Sequence, residues 1–208
     1  AVKVTMLKMP QLIAIFNGFG GGASALASIL IITTNSKSNA DLFSLSTAFL
    51  ALLVGTITFS GSMVAEAKLD QKLPQRPIII RGHSVITMAV LLITIIVSLL
   101  GIIKNDNSKV LATLINLLFS LILGIIFTIR IGGADMPITI SLLNSLSGIA
   151  GAIAGFAIYD PLLIAVGGIV GAAGLILTQV MCKSMNRSLI QVMAGKTSAL
   201  NSLNNNEH

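Results

Sequence analysis

Tryptophan is absent from this chain, and tyrosine and cysteine each occur once, as Tyr159 and Cys182. A lone cysteine excludes an internal disulfide and a cysteine-rich metal site. The two histidines, His83 and His208, are too few for a histidine metal cluster, so no metal is expected. Charge is also scarce. Only 10% of the 208 residues are charged, against about 25% in soluble domains. With 54% hydrophobic residues and a mean hydropathy of +0.95, there is too little polar surface to cover a soluble globule. The composition is that of a polytopic membrane protein, although few aromatics are left for interface belts. The net charge of +6 does not point to nucleic acid, because the basic residues are confined to the segments between apolar runs. No cleavable signal peptide is visible, and the chain begins with Ala rather than Met, as expected of a fragment or a processed chain.

Six apolar runs are each long enough to cross a hydrocarbon core of about 30 Å, which takes about 20 helical residues. They lie near 10–32, 42–65, 85–103, 110–129, 137–158 and 162–182, which predicts an all-α membrane bundle over residues 1–183. Residues 184–208 turn polar and read as a tail or linker. Pro10 and Pro137 stand at helix starts, where a missing N–H costs nothing. Basic residues divide ten against three between the two sides of such a bundle. Lys3, Lys8, Lys68, Lys72, Arg76, Arg81, Arg130, Lys183, Arg187 and Lys196 face Lys37, Lys104 and Lys109. That asymmetry places both termini on the cytoplasmic or matrix side.

Gly18-Phe19-Gly20-Gly21-Gly22-Ala23 fits the Gly-x-Gly-x-x-Ala form of a dinucleotide-binding loop. Such a loop needs a strand before it and an acid about 20 residues beyond it. Here it lies inside an apolar span, and the nearest acid, Asp41, falls in a loop across the membrane. The glycines instead remove side chains so that helices can approach, and Gly18 and Gly22 have Gly-x-x-x-Gly spacing.

The segments "MPQLIAIFNGFGGGA" (9–23) and "MPITISLLNSLSGIA" (136–150) both start Met-Pro and carry Asn seven residues after the proline. Asn17, Gly21, Ser24 and Ser28 share the spacing of Asn144, Gly148, Gly151 and Gly155, which is one helix face. The next spans each carry two glycines six apart, Gly55 and Gly61, then Gly168 and Gly174. Spans 1–2 and 5–6 thus read as a possible repeated hairpin, with convergent packing as the alternative, and function is expected near the repeat interface. Gly18, Gly21, Gly22, Gly148, Gly151 and Gly155 are the expected packing positions. Spans 3 and 4, poor in small residues, are expected toward lipid, and spans 1, 2, 5 and 6 toward a shared interior.

Asn17 and Asn144 lie about 10 Å into the membrane at 1.5 Å per residue. Each could glue neighbouring helices or hold water on a proton path. Ser60, Gly61 and Ser62 add hydroxyls at matching depth. No carboxylate or histidine lies well inside any span, which argues against a proton relay complete within this chain. A small-solute transporter or a purely structural bundle is the alternative reading.

The runs "IGGADMPITISLLNSLSG" (131–148) and "MCKSMNRSLI" (181–190) resemble the membrane domain of proton-translocating nicotinamide nucleotide transhydrogenase. "TFSGSMVAEAKLDQKL" (58–73) and "MPQLIAIFNGFGG" (9–21) fit the same family. The resemblance covers roughly residues 3–195, the second half of that membrane domain, directly before the NADP(H)-binding domain. It implies an oxidoreductase and translocase that couples hydride transfer between NAD(H) and NADP(H) to proton passage. It implies a bacterial cytoplasmic or mitochondrial inner membrane. The implied partners are lipid, the remaining membrane helices, and the NAD(H)- and NADP(H)-binding domains of a dimeric complete enzyme. No catalytic residue and no cofactor-binding residue is then expected in this chain, since both nucleotides sit in partner domains. Asn17, Ser62 and Asn144 match positions that line the proton path. Asn17 matches a position that is His in some members and Asn in others. Asp135 and Arg187 match inner loop residues linked to coupling with the NADP(H) domain. Each also has a plain reading, as an acid at a helix start and as one more inner-side cation. His83 matches a loop histidine, and its polar flanks Arg81, Gly82 and Ser84 predict a solvated loop residue.

Overall fold

Where the apolar runs begin and end is decided by local capping. The computed structural model describes residues 8–34, 41–78, 82–103 and 106–193. Six long helices run α1 (Met9–Thr34), α2 (Leu42–Leu69), α3 (His83–Ile103), α4 (Asp106–Ile129), α5 (Met136–Ile158) and α6 (Pro161–Ser184). A 3-10 turn (Gly133–Asp135) leads into α5, and a short α7 (Leu189–Met193) follows α6. Asp41 caps α2 by accepting from Phe43 N at 3.2 Å. Asp160 caps α6 by accepting from Leu162 N and Leu163 N at 2.9 and 3.1 Å, with Pro161 in the first turn. All six helices are long and apolar enough to cross a membrane, and among the described residues there is no strand. The largest boundary differences from the sequence reading are at α2, which continues to Leu69, and at α4, which begins at Asp106; α3 begins at His83.

α2 and α5 are the most enclosed helices, with 50% and 56% of their apolar windows buried, and α3 the least at 11%. Backbone-to-backbone approaches explain why glycine stands where it does. A Cβ on Gly21 would lie 2.7 Å from Gly55 O, where α1 crosses α2. One on Gly148 would lie 2.5 Å from Gly171 N and 3.0 Å from Gly167 O, where α5 crosses α6. Gly18 meets Met63 and Ser62, Gly22 meets the Phe59 ring, and Gly155 meets Ile164 N. Both hairpins therefore close through a glycine at the matching position of their first helix.

Three expectations are corrected. A Cβ on Gly151 meets nothing within 4 Å, and the same holds for Gly168, so neither is a packing contact within this unit. The glycines of α6 that touch α5 are Gly167, Gly171 and Gly174. α4 is not a lipid-side helix along its whole length, because Gly124 packs into α2 and its Cβ would stand 2.5 Å from Ile57 O. α3 does stay peripheral, hooked to α4 by Asn116, which donates to Thr94 O at 3.3 Å and to Ser98. α6, expected in a shared interior, buries only 22% of its window and packs chiefly on α5. The segment after α6 carries the short α7. Val192 of α7 is buried in an apolar cluster with Ile131, Met136 and Cys182. Residues 194–208 lie outside the described residues.

Candidate functional site

Polar groups gather at two levels. The first is inside the membrane, where α1, α2 and α5 meet. Asn17 is 6% exposed, and its amide donates to Ile140 O of α5 at 3.2 Å. In an α-helix that carbonyl also accepts the backbone N–H four residues on, which belongs to Asn144. The Asn17 side chain therefore reaches the carbonyl that bonds the Asn144 backbone, and the Asn144 side chain takes no part in this contact. Ser62 is fully buried, and its Cβ would lie 3.2 Å from a Cβ on Gly18, next to Asn17. Its hydroxyl has no hydrogen-bond partner among the described residues.

Asn144 itself is half-buried, and its side chain bonds to no described residue. It opens instead on a cavity of about 310 Å³ between α1, α5 and α6, lined by Pro10, Ile13, Pro137, Ser141 and Met181 among others. Asn144 lines that cavity, whereas Asn17 and Ser62 do not. Beside it, hydroxyls bind α5 to α6. Ser145 donates to Gly171 O at 2.6 Å, and Thr178 donates to Ser141 at 3.0 Å. Sequence reasoning missed Ser141, Ser145 and Thr178; their signal was helical spacing of hydroxyls (141, 145) opposite the α6 glycines.

The second level is the end of the bundle where α2, α4, α5 and α6 turn. Asn186 adopts a left-handed φ of 52°. Around it, Arg187 N bonds Cys182 O at 2.8 Å and Asn186 N bonds Lys183 O at 3.2 Å. This is the paired bonding of a Schellman end, and Asn tolerates the left-handed position. It turns Arg187 back toward Asp135. Asp135 is delivered by the 3-10 turn, where Asp135 N bonds Gly132 O at 3.0 Å and Gly133 N bonds Gln75 O at 2.8 Å. Arg187 Nε stands 3.7 Å from the buried Asp135 carboxylate. Asp135 makes no side-chain capping bond to α5, so its side chain is directed to Arg187 rather than to the helix end. Arg187 also lines a wider recess of about 640 Å³ with Lys183, Asn186, Ser188 and Gln191.

Two more basic residues at this level differ from the sequence reading. His83, expected to be solvated, is 6% exposed, and Nε2 lies 3.0 Å from Ile126 O of α4. A carbonyl only accepts, so Nε2 carries the proton. Lys68, read as a loop charge, is fully buried and donates to Ile129 O and, at 2.8 Å, to Ile131 O. Neither partner is visible in sequence, because the carbonyls reach Lys68 only once α2 and α4 cross at Gly61 and Gly124, and reach His83 only once α3 packs on α4. Arg130 lies over the Phe127 ring at 5.7 Å, and burial lowers its pKa. At the surface, a hydrogen bond from Lys72 and its charge hold the Asp70 carboxyl below its ordinary pKa, and the same pairing raises Lys72. Among the described residues no three His, Cys, Asp or Glu side chains are grouped as metal ligands.

A bundle of six apolar helices carrying buried amide and hydroxyl groups, with an ion pair where α5 begins and α6 ends, defines an integral α-helical membrane protein. The family described as "NAD(P) transhydrogenase beta subunit" matches residues 1–208. The NAD(P) transhydrogenase subunit beta of Rhodospirillum rubrum is 38% identical over 206 residues, covering 94% of this chain and 43% of the relative. The same subunit from a named strain of that species matches with the same figures. The chain belongs to the NAD(P) transhydrogenase beta subunit family, and it spans less than half the length of the curated relatives it matches.

Proposed function

We propose that this chain is the proton-conducting membrane part of a transhydrogenase. In this reading it couples hydride transfer between NAD(H) and NADP(H) to proton movement. The observation that carries the reading is the junction at Ile140 O, where the Asn17 amide donates beside Asn144, whose own side chain has no described partner and faces a cavity. Asparagine does not titrate, so neither residue is the proton carrier. Each orients water or a histidine supplied by a helix outside this chain. An unpaired amide facing hydrocarbon is costly, which supports water or a polar partner at Asn144. At the inner end the Asp135–Arg187 pair, 3.7 Å apart, joins the start of α5 to the end of α6. There it can respond to an NADP(H)-binding domain docked beyond Met193. NADP(H) and NAD(H) are held by partner domains, and the remaining membrane helices complete the path in a dimeric enzyme. Both termini lie on the cytoplasmic or matrix side, in line with the ten-to-three division of basic residues.

The test is Asn144→Leu in the assembled enzyme, with Asn17→Leu beside it. Proton-coupled turnover is expected to fall strongly in both, while cyclic hydride exchange that bypasses proton movement survives. Asn17→Leu also removes an interhelical bond worth about 0.6–2 kcal/mol, so its thermal stability falls while that of Asn144→Leu holds. Unchanged proton pumping in both variants removes the asparagines from the mechanism. Parallel loss of both activities in Asn144→Leu makes that residue a packing element.

A further inference from the structure

Lys68 is a buried ammonium for which the function proposed above has no use. A lysine at the end of a membrane helix ordinarily extends its amine to water. Lys68 does the opposite. It is fully buried in the last turn of α2, and among the described residues no carboxylate pairs with it. Its partners are main-chain carbonyls, Ile129 O at the last residue of α4 and Ile131 O just beyond it. The last carbonyls of a helix have no partner within it, and the negative end of the helix dipole favours a cation there. Lys68 thus serves as a cap that α4 borrows from α2.

The location of this cap gives it consequence. Ile131 opens the connection that ends in Asp135 only four residues later. The next anchor of that connection, Gly133 N to Gln75 O at 2.8 Å, also comes from the segment that follows α2. Ile78 N adds a bond to Ile129 O at 3.4 Å. The chain that carries Asp135 is therefore held at one end by α5 and along its length by α2 and its trailing segment. On α2, Ser62 lies six residues before Lys68, about 9 Å along the helix axis. Ser62 in turn lies against Gly18, next to Asn17.

We propose that Lys68 is a positioning residue that ties the loop bearing Asp135 to the helix bearing Ser62. Movement at the Asp135–Arg187 pair is then passed to α2 instead of being absorbed in the α4–α5 connection. The coupling part of this role rests on the function proposed above; the holding of the loop does not.

The test uses the assembled enzyme with Lys68→Met, which keeps the length and removes the donors, and with Lys68→Arg, which keeps charge and donors. Lys68→Gln, which retains one donor pair, serves if the Met variant does not accumulate. Amide hydrogen exchange is read over residues 130–136 and, as a reference, over the interior of α5. Loss of hydrogen bonds to a charged donor raises exchange in 130–136 by about tenfold or more in Lys68→Met, with the α5 reference unchanged. Proton-coupled turnover falls relative to cyclic exchange, and Lys68→Arg restores both readings. Unchanged exchange in 130–136 overturns the proposal. Raised exchange with both activities retained, or with both lost in proportion, overturns the coupling role. Because the exchange measurement does not depend on proton movement, loop release in Lys68→Met combined with intact pumping in Asn144→Leu would count against the proton path and not against the holding of the loop.

Discussion

Gly148 and Gly151 lie three residues apart on α5, and alanine at the two positions is expected to act in opposite directions. At Gly148 the new methyl would stand 2.5 Å from Gly171 N and 3.0 Å from Gly167 O. Both are backbone atoms and cannot rotate away. Restoring ordinary contact requires α6 to retreat by about 1 Å, and such overpacking costs about 1–3 kcal/mol. The same retreat stretches the Ser145 hydroxyl bond to Gly171 O, now 2.6 Å, at a further cost of about 1 kcal/mol. Against this, alanine is favoured over glycine within a helix by about 1 kcal/mol. The net effect is a loss of about 1–3 kcal/mol at Gly148. At Gly151 a Cβ meets nothing within 4 Å, so only the helix preference remains and the change is neutral to stabilising. The assay is the apparent melting midpoint of the purified chain in one detergent at one heating rate, since membrane proteins commonly unfold irreversibly. At about 2–4 °C per kcal/mol for a chain of this size, a gap of about 1–4 kcal/mol should place the Gly148 variant about 2–16 °C below the Gly151 variant. Equal destabilisation would mean that α5 and α6 do not cross at Gly148, and the packing argument would fail with it.

Two further outcomes are expected. Asn116→Leu should loosen α3 from α4, because Asn116 donates to Thr94 O and Ser98 and accepts from Ser120. The cost should be about 1–2 kcal/mol of stability, with the ratio of proton-coupled to cyclic activity unchanged; a selective loss of coupling would instead place this peripheral contact in the mechanism. In a Cys182→Ser background, Lys37→Cys and Lys72→Cys should react with an impermeant thiol reagent from opposite faces of the membrane, and reaction of both from one face would end the six-span topology.

The number of spans was legible because hydrophobic length is a one-dimensional property. Twenty apolar residues in a row satisfy a bilayer whatever their neighbours are. Helix starts are similarly local, since Asp41, Asp160 and Pro161 act on backbone groups within a few residues. The glycine face of α1 and α5 was visible as a periodicity, but periodicity does not say which member meets a neighbour. Gly148 touches α6 and Gly151 does not, because a helix crossing is a point and not a stripe.

The candidate site divides along the same line. Asn17, Asn144, Ser62, Asp135 and Arg187 could be singled out as polar or charged residues at informative positions. That Asn17 bonds Ile140 O, 123 residues away, and that Asn144 bonds no described residue, depends on how α1 lies across α5. His83 was read as solvated and Lys68 as one more inner-side charge, because a basic residue beside a polar loop carries no sign of the carbonyls it will find. Those carbonyls belong to the end of α4 and its exit, which Lys68 meets through the close approach of Gly61 and Gly124 and His83 through the packing of α3 on α4. The amino-acid sequence by itself determined which segments are long and apolar enough to cross the membrane and in what order they come. The tertiary structure alone decided which unsatisfied helix ends and buried side chains are brought together, because such pairings are set by the crossing points of helices distant in sequence.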